Sequence, residues 1–164
     1  MRTRCLLILS AMLICTACAP VISPDVRAAL EPRLTFADIM AAPDAHLGKR
    51  VMLAGTILEA KNLPQGTRLE ILQFPHTRRG RPETDAPSGG RFMVMSPLYL
   101  ETAIYTPGRA ITVAGQLTEV QSLPLGETLY RYPLLVPQEL YLWSERNTQP
   151  QFHFGFGIGF SKGF

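Results

Sequence analysis

The sequence predicts a mainly β protein, a small antiparallel barrel with one short N-terminal helix, on three observations. Pro and Gly make up 27 of the 164 residues and cluster between apolar runs, which suits strands and turns better than long helices. Several runs alternate apolar and other residues with the two-residue period of a strand that buries one face. The third observation is an internal repeat at an offset of 60 residues. Gly48, Ala54, Gly55, Glu59, Leu63, Pro64 and Gly66 recur as Gly108, Ala114, Gly115, Glu119, Leu123, Pro124 and Gly126, while Val51, Leu53 and Ile57 are answered by Ile111, Val113 and Leu117.

Each copy reads as a turn, a strand and a second turn. Gly55 and Gly115 fall inside the strands, where a missing Cβ permits a bulge or the sharp bend of a small barrel. The repeat is therefore either a duplicated binding unit or two strands meeting the same steric demand at barrel corners, and the steric reading is preferred. Thr67–Phe74 and Thr128–Val136 read as strands pairing back on each copy, Phe92–Met95 as a further strand and Glu139–Trp143 as a last one. Five or more short strands with a small helix resemble an OB-like barrel, with a small β-sandwich as the alternative. The helix is placed by Thr35, a capping residue with Asp38 at the third helical position. Phe36, Ile39 and Met40 form its apolar face, and Pro43 stops it.

The ends differ from this core. Arg2 and Arg4 precede an uncharged stretch from Cys5 to Cys15, the pattern of an export signal. The stretch is about half the ~20 residues needed to cross a bilayer, so it predicts a removed signal and not a permanent span. Cys15-Thr16-Ala17-Cys18 reads as a lipobox: small residues admit a signal peptidase that cuts between Ala17 and Cys18, and the Cys18 thiol is the nucleophile that takes diacylglycerol, followed by an N-acyl chain. An ordinary secretory signal cut near Ala17 or Ala19 is the alternative. Residues 1–17 are then the signal, and the remaining chain keeps Cys18 as its single cysteine, so it has no internal disulfide and relies on burial for stability. Multiple acyl chains anchor a protein stably. Ala19 stands where Asp would retain a lipoprotein in the inner membrane of enteric bacteria, which favours the outer membrane, with the domain facing the periplasm.

Residues 18–33 hold Pro20, Pro24 and Pro32 and read as a lipidated tether, residues 34–146 as the barrel domain and residues 147–164 as a Phe/Gly-rich tail. In the tail, Phe152, Phe154, Phe156, Ile158 and Phe160 alternate with His153 and glycines. Extended, this would present one apolar stripe to a membrane or partner; the entropy of so many glycines equally suits a disordered tail.

Loss of Arg2 and Arg4 lowers the formal charge from +3 to +1, which gives no electrostatic case for nucleic acid. The one concentration of charge is the loop Pro75–Gly90, with His76, Arg78, Arg79, Arg81, Glu83 and Asp85, followed by Arg91. One histidine with two acids beside arginines matches no metal-ligand spacing, so His76, Arg78, Arg79, Arg81 and Arg91 read as a partner or ligand surface. His46 and His153 read as surface residues. No nucleophile elbow, phosphate loop or Cys–His pair occurs, so no catalytic residue, metal or cofactor is expected.

Gly48-Lys49-Arg50-Val51 leading to Gly55, Gly80-Arg81-Pro82, Gly89-Gly90-Arg91-Phe92, Gly108-Arg109 to Gly115 and Tyr130-Arg131-Tyr132-Pro133 together resemble the Slp family of starvation-inducible outer-membrane lipoproteins, from Cys18 to about Trp143. The resemblance implies a lipoprotein of the Gram-negative outer membrane with no catalytic residues, and by itself no molecular activity. Together with the lipobox and the missing catalytic groups it supports a role in envelope structure or stress response through outer-membrane lipid and an envelope protein partner. The alternative is a periplasmic module binding a glycan or small molecule on the barrel. A groove lined by exposed rings of Tyr99, Tyr105, Tyr130 or Trp143 would favour that alternative.

Overall fold

The computed structural model describes residues 20–144. Five strands, β1 (Arg50–Leu63), β2 (Gly66–Phe74), β3 (Gly90–Ser96), β4 (Ala110–Leu125) and β5 (Thr128–Leu142), close into a barrel in the order β1-β2-β3-β5-β4. This is the OB-like barrel, not the sandwich. The closing pair differs from an all-antiparallel expectation: β3 and β5 run parallel through Met93↔Leu134 and Val94↔Leu135. Residues expected as two strands, Thr128–Val136 and Glu139–Trp143, form one continuous β5. Pro137 does not break it because the β4 ladder shifts register there, between Ala114 and Gly115.

The repeat is a local two-fold. β1 and β4 lie antiparallel with Leu53 opposite Val113, so each residue of one copy faces the mirror position of the other. The same bulge follows in both, between Ile57 and Glu59 and between Leu117 and Glu119. The flanking bonds repeat too. Gly48 N donates to Leu117 O (2.7 Å) and Leu117 N to Lys49 O (2.9 Å), while Gly108 N donates to Ile57 O (2.8 Å) and Ile57 N to Arg109 O (2.9 Å). Gly48 and Gly108 both take positive φ, +82° and +86°, which glycine adopts without strain. The copies part at the second turn. Pro64 lies in the β1–β2 turn, whereas Pro124 sits within β4 opposite Leu129, and the β4–β5 turn falls at Gly126–Glu127.

Gly55 and Gly115 are the corners. Gly55 belongs to both β1 ladders, opposite Gln73 and Ile111, and a Cβ there would overlap the Leu72 carbonyl oxygen. Gly115, opposite Val51 and Pro137, has the Val136 carbonyl oxygen in the same place. The steric reading of the repeat holds.

Alternating positions fill the interior: Val51, Leu53 and Ile57, then Leu69 and Ile71, Phe92 and Val94, and Ile111, Val113 and Leu117 are all buried. Burial of each such side chain contributes about 1.5–3 kcal/mol relative to exposure. Two short helices precede the barrel, α1 (Pro24–Ala28) and α2 (Phe36–Ala41), with a 3-10 turn at Pro43–His46. α2 is the expected helix. Asp38 N donates to Thr35 Oγ1 (3.2 Å), while the Thr35 hydroxyl (2.6 Å) and then its N–H (2.9 Å), both donating to Asp38 Oδ2, hold the Asp38 carboxyl below its ordinary pKa. Phe36 packs on Phe92 with ring centroids 6.1 Å apart.

The expected tether does not extend to residue 33. Ile22 is 1% exposed, Ser23 N and Oγ both donate to Glu139 Oε2 (2.9 Å), and Glu31 N donates to Arg50 O (2.8 Å). The packed unit starts at Val21. Pro24, which suggested an open linker, instead occupies the first turn of α1, where its missing N–H is no loss.

Adding one methyl group separates the two kinds of glycine. Gly115→Ala is expected to lower the unfolding free energy by about 3 kcal/mol or more, because backbone must move. Gly108→Ala, with open space but positive φ, is expected to lose about 1 kcal/mol. Urea unfolding of both variants followed by circular dichroism measures the difference.

Candidate functional site

The basic loop is built on a tight turn. Gly80 N donates to Thr77 O (2.8 Å), Thr77 N to Arg81 O (2.9 Å) and Arg81 N to Thr77 Oγ1 (3.2 Å), with Gly80 at φ +96°. Arg78 and Arg79 occupy its exposed tip. A single hydroxyl fastens the turn to the barrel. Thr112 Oγ1, fully buried in β4, donates to Gly80 O (2.7 Å) and accepts from Trp143 Nε1 (2.9 Å). The Arg81 guanidinium lies over the Trp143 ring, 5.0 Å from its centroid.

The N-terminal segment meets the same turn. Val21 N donates to Arg79 O (3.3 Å), and Arg27 Nη1 on α1 donates to Arg78 O (3.4 Å). Arg78, Arg79 and Arg81 with Thr77 and Trp143 line one shallow depression. The Thr77–Arg81 part of the loop is thus a docked turn carrying a basic tip.

His76 and Arg91 lie apart from that depression. His76 lines a different cleft, between α2 and the Pro75–Gly89 loop, with Phe36, Gln73, Pro87 and Gly89. Arg91 pairs with Glu70 (2.8 Å) on the outer face of β2 and β3, which raises the pKa of its guanidinium further. Tyr132 OH donates to the same Glu70 oxygen (3.3 Å), and Tyr130 OH accepts from Arg91 N (2.9 Å). These two rings pack edge to face, centroids 4.8 Å apart, against Met93 and Leu134 where β5 crosses the outside of β3. The Tyr132 hydroxyl is pushed above its ordinary pKa of 10.0, first by burial and then by the Glu70 charge.

The profile of the outer membrane lipoprotein Slp family matches residues 15–157. The chain belongs to the Slp family. Two solved structures are similar at low identity. A small single-stranded DNA-binding protein from Streptomyces coelicolor covers 58% of this chain and 94% of its own at 14% identity and TM-score 0.37. The Plasmodium falciparum SSB complex with ssDNA covers 60% and 96% at 15% identity and TM-score 0.32. Among curated proteins, none matches.

In this Slp chain the four rings expected to line a groove are scattered. Trp143 is buried beneath Arg81, Tyr130 is half-buried on β5, Tyr105 packs against the core, and Tyr99 is exposed with its hydroxyl donating to Pro64 O (2.9 Å). Among the described residues, no three of His, Cys, Asp and Glu are grouped to hold a metal ion, and no helix is long and apolar enough to cross a membrane. Ala17, Cys18 and His153 lie outside the described residues, as does the Phe/Gly stripe. Arg27 and Thr112 are the residues that sequence reasoning missed. A threonine inside the apolar run Ile111–Ala114 was the available signal for the second.

Thr112→Val would leave the Gly80 carbonyl and the Trp143 indole N–H without partners. The expected loss is about 2–3 kcal/mol of stability, with faster tryptic cleavage after Arg78 and Arg79, read by limited proteolysis. Tyr132 supplies a pH dependence. Because its folded pKa is raised, its contribution is full below pH 10.0 and is lost as pH rises through the folded value. The urea midpoint of the wild type should fall above pH 10, and that of Tyr132→Phe should fall less.

Proposed function

We propose that this Slp-family protein is a non-catalytic lipoprotein, held in the outer membrane by acyl chains on Cys18 and acting in envelope structure or stress response through contacts with lipid and an envelope protein. The observation that carries this reading is the lipobox Cys15–Cys18 behind Arg2, Arg4 and an apolar run, inside the region matched by the family profile. Cys18 lies three residues ahead of Val21, where the chain is bonded to the barrel, so the domain would stand directly on its anchor with almost no spacer. A glycan- or small-molecule-binding role is the second reading. The cleft beside Phe36 and His76 favours it, while the scattered tyrosines and the buried Trp143 weigh against a stacking groove.

Intact mass and membrane fractionation of the wild type beside Cys18→Ala test the anchor. The expected result is a lipid-sized mass increment with outer-membrane recovery, both lost in the variant. An unmodified, soluble wild type would reject it.

A further inference from the structure

The point where the chain leaves toward Cys18 and the basic turn are one place on the surface. Val21 N bonds Arg79 O, and Val21 Cγ2 packs beside Gly80, 3.2 Å from where a Cβ on that glycine would stand. An extended chain spans at most ~3.6 Å per residue, so Cys18 stands within roughly 11 Å of Val21 whatever path joins them. A bilayer holding Cys18 is therefore within reach of the turn that carries Arg78 and Arg79.

The chemistry of that place suits such a surface. Arg78 and Arg79 are exposed, and among the described residues no carboxylate pairs with either of them or with Arg81. Glu139, which meets the N-terminal segment, accepts from Ser23, and Asp25 on α1 forms no ion pair with Arg27 among the described residues. Glu83 and Asp85, from the same loop, do not line the depression that holds the arginines. Arg27 adds a fourth cation through its bond to Arg78 O. Guanidinium groups bind phosphate oxygens in a fork, and basic clusters beside a lipid anchor are attracted to anionic headgroups.

We propose that the Thr77–Arg81 turn with Arg27 is a headgroup-binding face that rests on the phosphates of anionic phospholipid and sets the orientation of the barrel on the membrane. The inference deepens the anchored reading of Cys18 and rests on it for the position of the bilayer. The face gives the anchored domain one preferred pose in place of free rotation about its tether. The turn's backbone carbonyls carry its bonds to Val21, Arg27 and Thr112, so its two tip side chains are free to engage lipid.

Trp143, the only tryptophan of the chain, lies under Arg81 and reports the pose. Protein purified from membranes is weighed intact, then reconstituted in vesicles of phosphatidylethanolamine and phosphatidylglycerol, or of phosphatidylcholine alone, each containing a dansyl-headgroup lipid. Energy transfer from Trp143 to dansyl should be higher in the anionic vesicles, fall in 1 M salt, and fall in the double variant R78Q/R79Q, which keeps Arg81 on the indole. R68Q/R131Q, removing the same charge elsewhere, should match the wild type. Transfer that ignores phosphatidylglycerol and both tip arginines, with the lipid mass present, would overturn the face and leave the anchor standing. If the mass shows no acyl chains, the anchored reading falls and the same vesicles are titrated with the soluble protein. There the face predicts binding only to anionic vesicles, weakened about 25-fold in R78Q/R79Q, at about fivefold per arginine. Equal binding of both proteins would overturn it.

Discussion

Two backbone carbonyls, those of Leu72 and Val136, pass where side chains would stand on Gly55 and Gly115, and the barrel depends on that clearance. At each glycine one strand serves two ladders at once, so the sheet must bend sharply while keeping its hydrogen bonds. A larger residue would push the neighbouring strand outward and leave buried backbone groups without partners, the costlier alternative in a core. The two-fold relating β1 to β4 follows from the same demand. Two equivalent corners need equivalent bulges two residues later, at Ile57–Glu59 and Leu117–Glu119, and equivalent approaches by Gly48–Lys49 and Gly108–Arg109.

The barrel then positions everything outside it through a few polar contacts. Thr112 sits opposite Ala54 in the β1–β4 ladder, and its hydroxyl ties together a loop carbonyl and the indole that follows β5. Three distant parts of the chain, the Thr77–Arg81 turn, β4 and Trp143, are therefore one unit, and Val21 adds the N-terminal segment to it. On the far side of the sheet, Glu70 gathers Arg91 and Tyr132 in a comparable way, and the neighbouring tyrosines hold the β4–β5 hairpin down on β3. An arginine paired in that fashion is committed to the fold, which is why Arg91 does not join the basic turn.

The barrel was legible because its requirements are local and repeated. Alternation at Val51, Leu53 and Ile57, and the glycine pair Gly55 and Gly115, state the strand face and the corner directly, and Thr35 with Asp38 states the start of α2. What escaped was set by tertiary contacts with weak local signals. Val21 and Ile22 lie among prolines without periodicity, so nothing nearby in sequence shows that Ile22 enters the core; its neighbour Ser23 finds its partner 116 residues away, at Glu139. The parallel pairing of β3 with β5 likewise rests on two residue pairs that no turn specifies. For the surface, the charge cluster was visible as composition. Its division into a docked turn with Arg78, Arg79 and Arg81, a separate cleft at His76 and a structural pair at Arg91 depends on which strand each residue leaves.

The meeting of Ser23 with Glu139 also joins the beginning of the packed chain to its last strand. A chain synthesised N-terminus first has its early segment made well before its partner near the end of the last strand. The ladder between β4 and β5, the largest in the sheet, is complete only with Leu142. Such high sequence separation makes closure slow relative to a helical bundle, because the entropy of a long loop must be overcome before the contacts that reward it. Closure of the barrel therefore requires its last strand, and the early segment gains its bonds to Glu139 only with that strand in place.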